Sequence, residues 1–375
     1  MLHVHVECGR HPKALRRWFP APEPDPYFEE DTLAALYGDA WTSIVIEEDG
    51  HALRHAFAAS AISTTGLFDI EPLVGYAGPL ATPGAPTEFL IAALERYSAL
   101  CREHGIVGEL VRFNPLLRNQ HALDGLSGDL VLPEPRLVVY VPVHEDDAAR
   151  LTGYPPETRN MIRTAHRSST VATLEKTPEI WTRFRHLYTD TLDATGAGPE
   201  WTLPPELWER LRHSRRFMLF GALQREQLVS GAIALLHGTT CYYFLAARVR
   251  DREARRGAGN AVVHEITAAA AGAGASYVGL GGGKTGSGAD SLFAFKSSFG
   301  GLVRPFAFGL FAHDRAELDA LRQAAERSNP LISASPLFLR FRLAGIFSEG
   351  RMLPVPIRSL AERAGVAQDR EHFIL

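Results

Sequence analysis

One grammar occurs twice along this 375-residue chain: short apolar strands, a glycine-rich loop, an amphipathic helix, then a buried strand. In the later copy, residues 217–223, 228–236 and 241–247 read as strands separated by the turns 224–227 and 237–240. An Arg-rich loop, 248–256, leads to Gly257-Ala-Gly-Asn, which opens a helix. Its apolar positions Val262, Val263, Ile266, Ala269, Ala270 and Ala273 keep helical spacing, Gly272 and Gly274 end it, and 277–280 is the next strand. In the earlier copy a strand pair spans 43–63 around the turn 47–50, and a Gly/Pro loop, 75–86, reaches Thr87, a predicted N-cap. A helix then runs over 88–104, stops at Gly105, and is followed by a strand from Ile106. The repetition predicts an α+β fold of two similar lobes, each a mixed, mostly antiparallel sheet flanked by helices. The boundary falls within 143–156, giving a first lobe over 1–150 and a second over 151–375 that includes a C-terminal tail. Helices over 178–194 and 205–216 belong to the second lobe.

Charge follows the same division. The net value of −4 conceals 10 basic against 22 acidic residues in 1–149, and 17 against 11 in 150–256. A polyanionic ligand would therefore meet the second lobe, although such runs also occur as plain solvated faces. Only Lys13, Lys176, Lys284 and Lys296 are lysine, so nearly all basic residues are Arg, and two of the lysines follow one glycine-rich stretch. Cys8, Cys101 and Cys241 are too few and too scattered for a disulfide framework and read as reduced thiols. With no secretory-type N-terminus and no long uncharged apolar run, a soluble cytoplasmic protein without membrane insertion is expected.

Several short motifs are ambiguous alone. Gly281-Gly-Gly-Lys-Thr285 resembles a phosphate-binding loop, but Val278 stands where that motif needs its first glycine. Arg256-Gly-Ala-Gly259-Asn-Ala261 fits R-x-x-G-x-A, a pattern in which free N–H groups at a helix start bind a pyrophosphate; it also fits a glycine turn. His3, His5, Cys8 and His11 have metal-like spacing without evident carboxylate partners, so no metal is expected. No nucleophile elbow surrounds Ser287.

The string Asp290-Ser-Leu-Phe-Ala-Phe295-Lys296-Ser-Ser-Phe-Gly300, with Tyr242-Tyr243-Phe-Leu-Ala and Leu280-Gly-Gly-Gly before it, resembles the Fem-type (FemABX-like) branch of the double-GNAT acyltransferases. The segments 68–79, 111–117 and 159–165 are similar to that family's substrate-lobe loop, first-lobe strand end and basic helix, so the resemblance spans about 25–310. The coiled-coil arm of some bridge-forming members is missing, which weakens a direct transfer of their cell-wall role.

The resemblance implies an amide-forming enzyme that moves an aminoacyl group from aminoacyl-tRNA to an amine. Acyl-CoA is the alternative donor, and a non-catalytic binding protein on the same fold is the other reading. Neither donor is a tightly bound cofactor. Phe295 and Lys296 match the family's pair at the acyl-transfer centre, where an ammonium, taken as exposed or in a cleft, neutralises a developing oxyanion. Asp69 is the candidate proton acceptor, or else a backbone cap; Asp290 is equally a candidate helix cap. Tyr76 and Arg112 are candidate acceptor contacts, and Arg256, Gly259, Ala261, Tyr243 and Arg163 candidate donor contacts. A basic arc comprising Arg159, Arg163, Arg167, Arg210, Arg212, Arg215, Arg216 and the 248–256 loop would hold the tRNA acceptor stem through phosphates. The acceptor amine is expected on a cell-wall precursor, an amino sugar or a small molecule being made into an antibiotic.

Overall fold

A computed structural model describes residues 1–62, 65–72, 75–123, 130–131, 136–197, 201–283, 290–328, 339 and 341–342. In chain order, β1 (His3–Cys8), α1 (Leu15–Trp18), α2 (Glu30–Tyr37), β2 (Thr42–Glu48), β3 (His51–Phe57), β4 (Ala59–Ala61), β5 (Phe68–Ile70) and β6 (Leu80–Ala81) come first. They are followed by α3 (Thr87–Glu103), β7 (Ile106–Arg112) and β8 (Leu130–Val131). The middle of the chain forms β9 (Arg136–Pro142), α4 (Asp147–Gly153), α5 (Pro156–Ser168), β10 (Thr170–Leu174), α6 (Pro178–Thr195) and α7 (Pro205–His213). Then come β11 (Phe217–Gln224), β12 (Gln227–Leu235), β13 (Thr240–Arg248), α8 (Ala258–Gly272), β14 (Tyr277–Gly281), α9 (Ser291–Ser297) and β15 (Leu302–Phe306). Last are β16 (Phe308–Ala312) and α10 (Arg315–Ser328).

Packing separates two units, and the division differs from a single cut near residue 150. Unit 1 comprises 1–23, 27–135 and 306–375; unit 2 comprises 24–26 and 136–305. The C-terminal part thus joins unit 1, because β16 inserts between β7 and β8 and pairs antiparallel with both. Sequence periodicity carries no information about such a long-range pairing.

Among the described residues unit 1 holds two sheets, ordered β1-β2-β3-β6 and β4-β5-β7-β16-β8, where one was expected. Helix α3 buries Phe89, Leu90, Ala93, Tyr97 and Cys101 on one face, the spacing that repeats on a helix, against Ile44, Ile46, Leu53 and Ile106. Its N-cap is Pro86, with Thr87 already the first helical residue.

Unit 2 is one seven-stranded sheet, β10-β11-β12-β13-β14-β9-β15. The meander β11-β12-β13 is antiparallel, whereas β13 and β14 run parallel with α8 as their crossover. Helix α8 buries Ala261, Val262, Val263, Ile266 and Ala270 in a core shared with Ile162 and Ala165 of α5 and Phe220, Val278 and Phe299. Thr177 caps α6 by accepting from Ile180 N–H at 3.3 Å, Pro178 opens it, and Gly196 ends it in the left-handed conformation. Among the described residues no helix is long and apolar enough to cross a membrane.

Candidate active site

The start of α8 organises unit 2. Gly257 is the N-cap at φ +74°, and a Cβ there would strike the Met161 carbonyl, so glycine lets α5 and α8 close together. One turn on, Ala258 and Ala261 face the core. Gly259 lies against Phe295, whose Cζ would sit 3.6 Å from an added Cβ. The structure therefore brings together Gly259 and Ala261 of the R-x-x-G-x-A pattern with Phe295 of the 290–300 string. Ahead of the helix the backbone strands open. β13 pairs with β14 only through Thr240, Cys241 and Tyr242, then continues to Arg248.

Lys296 lies beside Phe295 on α9. Asp290 is the cap of that helix, accepting from the Leu292 and Phe293 N–H groups at 2.8 and 3.1 Å. Phe295 and Phe299 meet edge to face at 5.6 Å. Lys296, expected to be exposed or in a cleft, is 9% exposed, and its Nζ donates to the Gly282 carbonyl at 2.6 Å. Burial pulls the ammonium down to about 8, partly offset by Asp290. A Cβ on Gly282 would stand 2.7 Å from the Leu137 carbonyl. Close approach to β9 thus accounts for a glycine in the run that resembled a phosphate loop. Lys284, Thr285 and Ser287 of that stretch lie outside the described residues.

The remaining donor-side candidates are spread over the unit. Arg256 is exposed in the turn before α8, and Arg163 is exposed on α5, opposite the buried Ile162 and Ala165. Tyr243 is half-buried on β13, its hydroxyl pushed up by burial. In the 248–256 loop, burial and the charges of Arg248 and Arg252 lower the Arg255 guanidinium, and its Nε is buried without a partner among the described residues. Like charges held this close favour an anion. Within the predicted basic arc, Arg167 and Arg215 are exposed, but Arg159 donates to the Tyr154 carbonyl and Arg212 pairs with Glu209.

Unit 1 treats its candidates differently. Asp69, on β5, is 1% exposed and bound by the Arg342 guanidinium, with Nε to Oδ2 at 2.7 Å, so its carboxylate is held in an ion pair. Burial raises its carboxyl, with Arg342 opposing. Arg342 also reaches Glu71 at 3.3 Å, and Glu71 pairs with Arg112 at 3.4 Å, which makes Arg112 part of a charge chain. Tyr76 packs edge-on against Tyr27 and Phe306, at 5.9 and 5.6 Å.

A polar cluster escaped the sequence reading. Glu109 on β7 is buried and accepts from His55 Nε2 at 2.6 Å, Tyr97 hydroxyl at 2.6 Å and His313 Nε2 at 3.3 Å. These contacts hold its carboxyl far below the usual range despite burial. The available signal was one glutamate inside the apolar strand 106–111. The early histidines do not assemble a centre: His5 meets Glu47, while His11 contacts Ser43 and the Phe28 carbonyl and is driven down to about 4, mainly by burial. Among the described residues no group of three or more His, Cys, Asp or Glu is placed to hold a metal.

Residues 157–296 match a family model described as an acetyltransferase (GNAT) domain. Among solved structures, FemX aligns with TM-score 0.52 and 16% identity over 71% of this chain and 87% of its own. A tandem GNAT protein from the clavulanic acid biosynthesis pathway aligns at TM-score 0.49 and 12% identity, over 84% of this chain and 99% of its own. The C-terminal domain of a putative lysylphosphatidylglycerol synthetase from Agrobacterium fabrum aligns at 0.48 and 13%, over 80% and 87%. No curated protein matches the sequence. The chain has the Fem-like double-GNAT fold, and the GNAT acetyltransferase domain matched within it ends on Lys296.

Proposed function

We propose that the protein is an N-acyltransferase that forms an amide bond, with an aminoacyl group on tRNA as the donor and an amine as the acceptor. One observation carries the reading: a desolvated ammonium, Lys296, follows the residue that packs on Gly259 at the start of α8. A helix start offers free N–H groups to a donor phosphate, and a fixed ammonium neutralises an oxyanion. In the reaction the amine nitrogen attacks the ester carbonyl and an N–C bond forms. The C–O bond to the tRNA ribose then breaks, and the ribose oxygen takes up the proton lost by the amine. Lys296, protonated, stabilises the tetrahedral oxyanion and Phe295 fixes its backbone.

The exposed Arg163, Arg167, Arg215 and Arg256, with the crowded Arg248, Arg252 and Arg255, suit a phosphate backbone read without sequence preference. Binding of charged tRNA should weaken steeply with salt; a flat salt response refutes the tRNA donor. Acyl-CoA is the second reading, favoured by the Arg256, Gly259 and Ala261 pattern at the helix start. Saturable thermal stabilisation by acetyl-CoA would support it. The reaction is placed in the cytoplasm, with a small molecule of antibiotic type or a cell-wall precursor as acceptor. Mass spectrometry of products from charged tRNA and a panel of amines tests the acceptor class.

A further inference from the structure

Unit 1 contains a cavity whose lining includes Tyr76, one of the candidate acceptor contacts. It lies against His55 and Glu109, and aromatic rings of Tyr27, Phe28, Tyr37 and Phe57 form much of its wall. His55 is 2% exposed, and its Nδ1 is buried with no hydrogen-bond partner among the described residues. We propose that this cavity binds the primary ammonium end of a small aliphatic amine, with His55 Nδ1 accepting the hydrogen bond.

The proton inventory fixes the polarity of that nitrogen. A carboxylate only accepts, so Tyr97, His55 and His313 must each donate to Glu109, which places a proton on Nε2 of both histidines. His313 Nδ1 has Ser98 Oγ at 3.0 Å, an atom able to donate or accept. A second proton on His313 is therefore satisfied, whereas one on His55 Nδ1 would be a buried orphan donor. With its proton on Nε2, His55 Nδ1 presents a lone pair. The cavity has about 20 Å³ of usable room, enough for one water-sized group. The Glu109 carboxylate and the aromatic side chains that line the cavity favour a cationic donor. An ammonium has the right size, donates to Nδ1 and suits both, with its alkyl chain leaving through the cavity mouth.

The test uses the full chain and n-butylamine hydrochloride, followed by isothermal titration and by long-range NMR of the histidine ring nitrogens. Saturable binding is expected with a Kd on the order of 1 mM, reasonable for five heavy atoms, together with a change at His55 Nδ1. Binding of n-butanol should be at least about tenfold weaker, and butyrate should not bind. His55→Leu should abolish binding. Ala58→Val, which fills the cavity without removing a donor from Glu109, provides the same loss should His55→Leu not fold. No saturation, an equal response to n-butanol (the mark of a water site), or unchanged binding in a folded variant overturns the proposal. Tyr76 connects this cavity to the acceptor side of the acyl-transfer reading, but the titration needs no acyl donor, so failure of the one is distinguishable from failure of the other.

Discussion

Replacing Lys296 by Met should separate the cost of the ammonium from its use. Burial moves this lysine from its ordinary 10.5 to about 8, and that shift corresponds to about 3 kcal/mol. Between those values the unfolded chain holds a proton that the native chain has released, so the wild type gains stability as pH rises through the window. The gain approaches about 1.4 kcal/mol per pH unit mid-window and vanishes outside it. Met has similar reach and no titration. At pH 7 it removes the desolvation cost but also the bond to the Gly282 carbonyl, worth about 1.5–3 kcal/mol, so the two proteins should be nearly equal in stability. Urea unfolding of both across about pH 7 to 11 should show wild type overtaking the variant by about 3 kcal/mol, with all other titrations cancelling in the difference. A flat difference, or one of opposite slope, refutes a desolvated lysine. The same variant should lose acyl-transfer turnover by about 10²–10³, the usual effect of deleting one oxyanion donor. Wild-type turnover should fall as pH rises through about 8, because the neutral amine no longer balances the oxyanion. Retained stability with lost activity identifies a residue kept for function.

Glu109→Gln should destabilise by about 3–5 kcal/mol near neutral pH, since it removes the anion that three buried donors face. The depressed carboxyl stabilises above its unfolded value of 4.5 and loses that contribution as pH falls, so acid unfolding of the wild type should be steeper than that of the variant. Arg342→Met leaves Asp69 buried and unpaired; urea melts should show a loss of about 3–5 kcal/mol, largely recovered in the Asp69→Asn, Arg342→Met double variant. Gly282→Ala forces a methyl to within 2.7 Å of the Leu137 carbonyl and should cost about 1–3 kcal/mol, with a matching loss of turnover as the acceptor of Lys296 moves.

Local pattern made the helices readable. The apolar spacing in α8, the Thr177-Pro178 start of α6 and the Asp290 cap of α9 are all written within a few residues. The candidate string 290–300 stood out because Phe295 and Lys296 are adjacent and the rest of the chain so rarely uses lysine. Burial of Lys296 was not legible, since it depends on Gly282 and β9 folding over it. The Asp69–Arg342 pair joins residues 273 positions apart, and Glu109 collects partners from β3, α3 and the residue after β16. Such convergence is a property of topology, and no window of sequence displays it.

The insertion of β16 between β7 and β8 gives the chain an order of assembly as it leaves the ribosome. Residues 136–305 are complete before β16 is made, so the entire seven-stranded sheet can close while β7 still lacks its neighbour. During that interval β7 presents an unpaired edge, a hazard for pairing with another nascent chain. His313, which joins Glu109 only after β16 has docked, arrives with the same late segment. A ribosome stalled near residue 340, which leaves about 35 residues in the exit tunnel and 136–305 outside it, should therefore carry a protease-resistant middle and a protease-sensitive beginning, and release of the full chain should protect both.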